Sequence, residues 1–309
     1  MLSTDLRTFS PDAVADWSDV VDFAGRADRA GFDRLAVSDH VAFGEHLDAY
    51  GDPTLGGSPG GTQPTGPDGA WLEPLTTIAY LAAATTRVRF TTNVLLAALR
   101  RPVVLAKMAS TIDVLSGGRL DLGVGVGWQR EEYEAAGLRF EERGRLLDHT
   151  LEVCRRLWTD VSAAYDGLGL TFERIHQMPK PLQPGGVPIW VSGTVNDRSM
   201  DRLARLGAGW IPWGEDAADL ARGIGRMRRA LEVRGRDPQG IGIVGTLRAE
   251  VKGGEGARVL DVERTMAAVP RLRALGVTDF RLAASALRWR RATQEELAHI
   301  VAAFRSAVG

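Results

Sequence analysis

The sequence predicts an α/β chain of parallel strands, with a (β/α)8 TIM barrel as the favoured arrangement. Three observations carry this. Short runs rich in Val, Ile, Leu and Phe alternate with amphipathic helical stretches along the chain. The helical stretches end in Gly or a charged turn, and the next apolar run begins within a few residues. Counted with a weak first strand in Leu2 to Phe9, there are eight strand–helix units. Parallel strands need crossover connections, which helices supply. Eight units can close a barrel or spread into a doubly wound sheet; the count favours the barrel.

Each unit has its own justification. Val14 to Ala30 has apolar residues at helical spacing and is closed by Gly31, and Asp33 to Val37 follows as a strand. Pro74 to Thr85 is the next helix and Val88 to Leu96 the next strand. Pro102 opens a helix where its missing N–H costs little. That helix runs to Leu115, stops at Gly117-Gly118 and leads into the strand Leu120 to Gly125. The later strands are Pro188 to Val191, Trp210 to Trp213, Ile241 to Val251 and Thr278 to Leu282. The helices among them are Asp197 to Leu206, Asp216 to Val233 and Asp261 to Leu275. Thr293 and Glu296 have the spacing of a capping box and open a terminal helix.

Two segments break the rhythm. Gly44 to Gly69, a long loop after strand 2, is rich in Gly, Pro, Thr and Asp; such loops are functional lids or poorly ordered. After strand 4, Gln129 to about Gln183 reads as a helical insertion, a hairpin of Glu131 to Ala136 and Phe140 to Trp158. Cys154 falls on the apolar face of its second helix and reads as core.

At 309 residues, one barrel with insertions accounts for the chain, so a single domain over residues 1–309 is expected. Lys and Arg number 38 against 39 Asp and Glu, a balance that gives no electrostatic reason for a nucleic-acid or membrane partner. The single cysteine excludes a disulfide within the chain and agrees with a reducing compartment. The first residues lack an apolar run of signal-peptide length and no stretch could span a bilayer, so a soluble, cytoplasmic protein is expected.

Ser38-Asp39-His40 follows an apolar strand, where a parallel α/β fold displays functional side chains. A histidine there can move a proton near neutral pH, and an adjacent carboxylate can orient it. Equally, Asp39 reads as a turn cap and His40 as a surface residue. His40 and His46, with Asp39 and Glu45, match no metal-ligand spacing, and no metal is expected. Gly123, Gly125 and Gly127 lack the spacing of a dinucleotide fingerprint. At a strand end, Gly125 and Gly127 let backbone approach a flat ring, or merely kink the strand. Ser192-Gly193-Thr194 lies between a strand and a helix start, where free N–H groups can cradle a phosphate, and Trp213-Gly214 on the next strand end offers a second wall. Trp128 and Trp213 read as pocket residues, Trp190 and Trp210 as packing. The arginine pairs, Arg100-Arg101 among them, read as solvated helix ends. With no nucleophile elbow, phosphate loop or metal set, the chemistry points to a bound organic cofactor.

A run of motifs in order then carries a resemblance. Phe32 to His40 (FDRLAVSDH), Thr76 to Arg89 (TTIAYLAAATTRVR) and Arg101 to Trp128 (RPVVLAKMASTIDVLSGGRLDLGVGVGW) are followed by Phe140-Glu-Glu-Arg-Gly-Arg-Leu, Pro179-Lys-Pro-Leu-Gln, Val187 to Gly193 and Gly207 to Pro212. This series resembles the luciferase-like monooxygenase superfamily from roughly residue 14 to residue 282 and implies barrel closure. Within it, Ser-Asp-His resembles the branch that uses coenzyme F-420, a deazaflavin that moves hydride. FMN monooxygenases more often show Glu-His there.

The resemblance implies that Asp39 and His40 sit beside the cofactor ring, His40 stabilising charge or relaying a proton and Asp39 orienting it or bonding the cofactor. It implies a non-prolyl cis peptide bulge at Asn93-Val94 supporting the ring, with Ser192, Gly193, Thr194, Trp213 and Gly214 holding the phosphate of its tail. Sugar-phosphate dehydrogenases of this type carry Glu where this chain has Trp128, which argues against sugar-phosphate oxidation and for a more apolar small-molecule substrate. A homodimer is the family expectation. The alternatives are a reduced-FMN monooxygenase on the same barrel and a non-catalytic flavin-binding barrel.

Overall fold

A computed structural model describes residues 1–12, 15–52, 61–253, 259–287 and 289–309. Eight parallel strands form a closed barrel. They are β1 (Leu2–Asp5), β2 (Arg34–Val37), β3 (Arg89–Thr92), β4 (Leu120–Val124), β5 (Ile189–Gly193), β6 (Gly207–Pro212), β7 (Gly242–Leu247) and β8 (Asp279–Leu282). Each pairs with its neighbours in sequence, and β1 closes the ring against β8, with Leu2 opposite Phe280 and Thr4 opposite Leu282.

Outside lie α1 (Ser18–Ala30), α2 (Pro74–Ala83), α3 (Pro102–Leu115), α4 (Arg130–Ala135), α5 (Arg143–Thr159), α6 (Asp197–Leu206), α7 (Gly214–Ala218), α8 (Leu220–Val233), α9 (Val262–Met266), α10 (Val269–Leu275) and α11 (Gln294–Val308). Local chemistry explains their ends. Pro102 sits in the first turn of α3. Asn196 with Ser199, and Thr293 with Glu296, form reciprocal capping boxes on α6 and α11. Gly31 and Gly276 close α1 and α10 at φ 96° and 105°, a left-handed conformation that costs glycine little. Outward strand residues such as Leu35, Phe90 and Leu122 pack on Phe23, Ile78, Leu105 and Leu151 as one core, in which Cys154 is buried. Burial pushes its thiol pKa far up.

The barrel's lower interior is ionic. Arg34 spans Asp121 at 2.7 Å and Asp279 at 2.6 Å, its guanidinium 4.5 Å above the Trp190 ring. This cross-barrel fork fills the space below the upper layer, where the interior opens.

Several boundaries differ from the expected ones for physical reasons. Strand β3 ends at Thr92 rather than Leu96, because the Asn93–Val94 peptide is cis and the chain turns into a short 3-10 segment, Ala97–Leu99. Asp219 caps a new helix through the Arg222 amide, so Asp216 to Val233 is two helices. Asp261 to Leu275 likewise divides into α9 and α10. Strand β7 stops at Leu247, and Val251–Lys252 pairs antiparallel with Val259–Leu260. The helical segment after β4 is present, and α5 packs between α3 and α6 as the barrel's own fourth outer helix. The β-hairpin Ala163–Gly167 with Leu170–Ile175 follows it and was not predicted. The expected long loop spans residues 44–69, of which 53–60 lie outside the described residues, as does Val14 at the expected start of the first helix.

Candidate active site

The carboxyl ends of the strands surround a cavity of about 910 Å³. Asp39, His40, Asn93, Val94, Gly125, Gly127, Trp128, Ser192, Gly193, Thr194 and Trp213 all line it. Gly214 does not: it starts α7 behind Trp213 at φ 54°, and a side chain there would come 3.2 Å from Thr194.

Close packing explains the glycines. A Cβ on Gly125 would lie 2.5 Å from Val94 Cγ2, and one on Gly127 would lie 2.9 Å from Leu96. With no side chain at these positions, the turn after β3 projects over the end of β4 and forms a ledge of Val94 and bare backbone in the cavity. On the far side of the ledge, Ser192 to Thr194 run from β5 into the start of α6. Asp216 accepts the Val195 amide at 2.7 Å, while Arg226 donates to the Val195 carbonyl at 2.9 Å, which fixes that loop against α7. Arg143, Arg198 and Arg202 line the same end. Gly144 on α5 makes room for them, since a Cβ there would meet the Arg198 side chain at 2.9 Å. The Arg143 Nε has no hydrogen-bond partner. Arg202 is paired with Asp148 at 2.7 Å and Glu141 lines the cavity too, so this end gathers guanidinium groups that are partly balanced by carboxylates.

Asp39 takes a different part from the expected one. Its fully shielded carboxylate accepts from the Leu96 amide at 2.8 Å and from the Arg100 fork at 2.6 and 3.0 Å. Arg100 also reaches Glu73 at 2.8 Å, so it is an interior bridge rather than a solvated helix end. Burial works against its charge, but bonds to Asp39 and Glu73 raise its pKa. For Glu73, burial is outweighed by bonds from the Thr76 amide and Arg100, and its pKa falls.

The carboxylate that faces His40 is Glu132, not Asp39. Glu132 Oε2 lies 3.4 Å from His40 Nδ1, both side chains are at most 9% exposed, and neither atom makes a hydrogen bond. The other oxygen of Glu132 accepts the Val41 amide at 2.5 Å. With its amide oriented to satisfy both neighbours, Gln129 donates to the Ala42 carbonyl at 3.2 Å and accepts from Gly44 at 2.9 Å. Glu131 accepts from His46. The start of α4 thus clamps the chain that leaves β2. The His40 ring is 4.5 Å from Phe43 and edge-on to Trp71 at 4.8 Å and Trp128 at 5.8 Å. Tyr50 meets Trp128 at 5.3 Å. The arrangement pairs a shielded imidazole with an aromatic wall, and an imidazole so placed can move a proton.

Trp190 and Trp210 are packing residues as expected, Trp210 donating to the Gly193 carbonyl at 3.0 Å. Sequence reasoning missed Asp5, Arg100, Glu132 and the three arginines. The one sequence signal for any of them is that Glu131 and Glu132 follow closely on Trp128. Among the described residues, no cluster suited to a metal occurs and no helix is long and apolar enough to cross a membrane.

The model of the luciferase-like monooxygenase family matches residues 1–304. An uncharacterized protein of Mycobacterium tuberculosis is 31% identical over 231 residues, 75% of this chain and 77% of that protein. The monooxygenase RslO1 from Streptomyces bottropensis shares the fold with a TM-score of 0.73 at 20% identity, over 99% of this chain and 98% of that one. An F-420-dependent secondary alcohol dehydrogenase, solved with an F-420–acetone adduct, does so with a TM-score of 0.72 at 16% identity, over 98% of each chain. Both likenesses show the barrel. With its family model spanning nearly every residue, the chain belongs to the luciferase-like monooxygenase family.

Proposed function

We infer that the protein is a coenzyme F-420-dependent oxidoreductase transferring hydride between the deazaflavin and a small, largely apolar organic substrate. The observation that carries this is a single cavity in which the Val94 ledge, the Ser192–Thr194 loop and His40 meet. The residues suit a planar ring with an anionic tail. The ledge offers Val94 seated close on the bare backbone of Gly125 as a support for a ring. Ser192, Gly193 and Thr194, beside Arg198, suit a phosphate. When bound, the cofactor supplies the hydride chemistry.

The chain's own residues do the rest. His40 gives or takes the proton that accompanies the reaction, at the ring nitrogen not facing Glu132. Glu132, 3.4 Å from the other ring nitrogen, sets the ring's orientation. Asp39, spent on Arg100 and Leu96, holds the β3 turn that carries the ledge. Trp71, Trp128 and Tyr50 keep water from the chamber. A cytoplasmic homodimer belongs to the same reading, and sedimentation of the purified chain tests the dimer.

A reduced-FMN monooxygenase is the second reading, favoured by the likeness to a monooxygenase of the same fold. Titration of the purified chain with each cofactor separates the two. Saturable F-420 binding without oxygen uptake is expected; tight FMN binding with no measurable F-420 binding overturns the first reading.

A further inference from the structure

Asp5 is a polar group of the cavity that the chemistry above does not use. It ends β1 two positions beyond Ser3, whose hydroxyl bonds Asp279 inside the barrel, so strand alternation turns Asp5 inward as well, at the cavity's floor. Its Oδ1 lies 3.8 Å from Arg281 Nε, and neither atom makes a hydrogen bond. Burial raises its pKa, and the Arg281 charge and a hydrogen bond from the Asn93 side chain oppose the rise. Folded proteins leave few buried polar atoms unpaired. The Asp5 side chain as a whole is 37% exposed, so on its open side the carboxyl keeps acceptor capacity for a ligand in the cavity.

The same side of the mouth is aromatic. Phe9–Ser10, on the chain leaving β1, pairs antiparallel with Ala70–Trp71 from the segment after β2, and the Phe9 and Trp71 rings stack at 4.4 Å. Trp71 Nε1 is buried without a partner, and Trp128 stands beyond His40. We propose that this β1 side is the substrate subsite of the inferred reaction and selects a planar ring carrying an O–H or N–H, the ring against Trp71 and Trp128 and the donor on Asp5. A pure hydrocarbon of the same shape would bind more weakly, because it desolvates Asp5 without bonding it. The proposal rests on reading the cavity as the substrate chamber of an oxidoreductase.

Phenol and anisole differ in the O–H donor and serve as probes, with quenching of tryptophan fluorescence in the full chain as the readout. Phenol is expected to bind at least about tenfold more tightly than anisole, the effect of one hydrogen bond to a charged group. Asp5→Leu erases that ratio by weakening phenol alone, whereas Asp5→Asn, whose amide oxygen still accepts, keeps part of it. Unchanged anisole affinity shows that Asp5→Leu is folded; should it not fold, Asp5→Ala carries the same comparison. Equal affinities in the unmodified chain, an unchanged ratio after Asp5 is replaced, or no saturable quenching by either probe overturns the proposal. F-420 and FMN titrations are run separately, so failure of the cofactor reading leaves the phenol-to-anisole ratio standing, and the reverse.

Discussion

Replacing Arg100 with leucine removes one partner from an ion pair that the barrel rim encloses. Asp39 is fully shielded and Arg100 is 14% exposed. Arg100 spends its guanidinium on both Asp39 oxygens, at 2.6 and 3.0 Å, and on Glu73 at 2.8 Å. After the substitution Asp39 keeps one donor, the Leu96 amide at 2.8 Å. Glu73 is 39% exposed and rehydrates, so its loss adds little. Breaking a buried pair from one side costs about 3–5 kcal/mol, because the remaining charge is uncompensated. The surviving Leu96 bond puts Arg100→Leu near the lower end, about 3 kcal/mol. Urea unfolding should show a lower midpoint at unchanged slope, and thermal unfolding a drop of roughly 4–5 °C. Adding Asp39→Leu removes the stranded charge, so the double variant should be more stable than the summed single losses predict, by about 1.5 kcal/mol or more. A loss below about 1 kcal/mol for Arg100→Leu, or strict additivity in the double variant, would refute the enclosed-pair account.

Three further outcomes are expected. Gly125→Ala brings a methyl to 2.5 Å from Val94 Cγ2 and should cost about 1–3 kcal/mol in urea unfolding; Val94→Ala in the same chain should restore most of it, and no recovery would mean the ledge is not set by that contact. Glu132→Ala takes the acceptor from the Val41 and Ala42 amides, so hydrogen exchange over residues 41–46 should quicken about tenfold; unchanged protection would show that the clamp is made elsewhere. The Glu131 side chain raises the pKa of His46, by its hydrogen bond and then its charge. The raised value means the pair's contribution is complete below about pH 6.5 and is lost as pH rises through the folded-state pKa. Proton NMR should find His46 titrating above its ordinary value in the unmodified chain and lower in Glu131→Gln; identical curves would dissolve the pairing.

The parts of this fold that were legible in the sequence are those written locally. Apolar runs with nearby stop signals located all eight barrel strands, and α3 and α6 have the expected ends because Pro102 and the Asn196 cap act within one turn. The residues around the cavity were legible for the same reason: they follow strand ends, and a closed barrel gathers strand ends. Partner choice was not. Asp39 and His40 are adjacent, which suggested that one orients the other, but neighbours in extended chain project to opposite sides. Asp39 is thereby carried to Arg100 and His40 toward Glu132, more than ninety positions away, a pairing that no local signal marks. Adjacent positions on a helix diverge too, and so Glu131 and Glu132 serve different histidines. Arg100 read as solvated for a related reason: charge is visible in a sequence, whereas enclosure by Glu73 and Asp39 is a property of the closed rim.

The two sides of the cavity are built by different physics. Over β3, β4 and β5 the surface is backbone and small side chains in van der Waals contact, with Val94 seated on Gly125. Close-packed contacts of this kind have little room to yield, so the side read as supporting the cofactor is formed before anything binds. Over β1 and β2 the wall is made of connecting segments, held by polar clamps from Gln129, Glu131 and Glu132 and by the two-residue pairing of Phe9–Ser10 with Ala70–Trp71. Each clamp is worth on the order of 1 kcal/mol, so this wall can open locally without unfolding the barrel. Ligand exchange should therefore pass the β1–β2 side, and substitutions in the α4 clamps should alter entry and release of the small molecule before they alter the ledge.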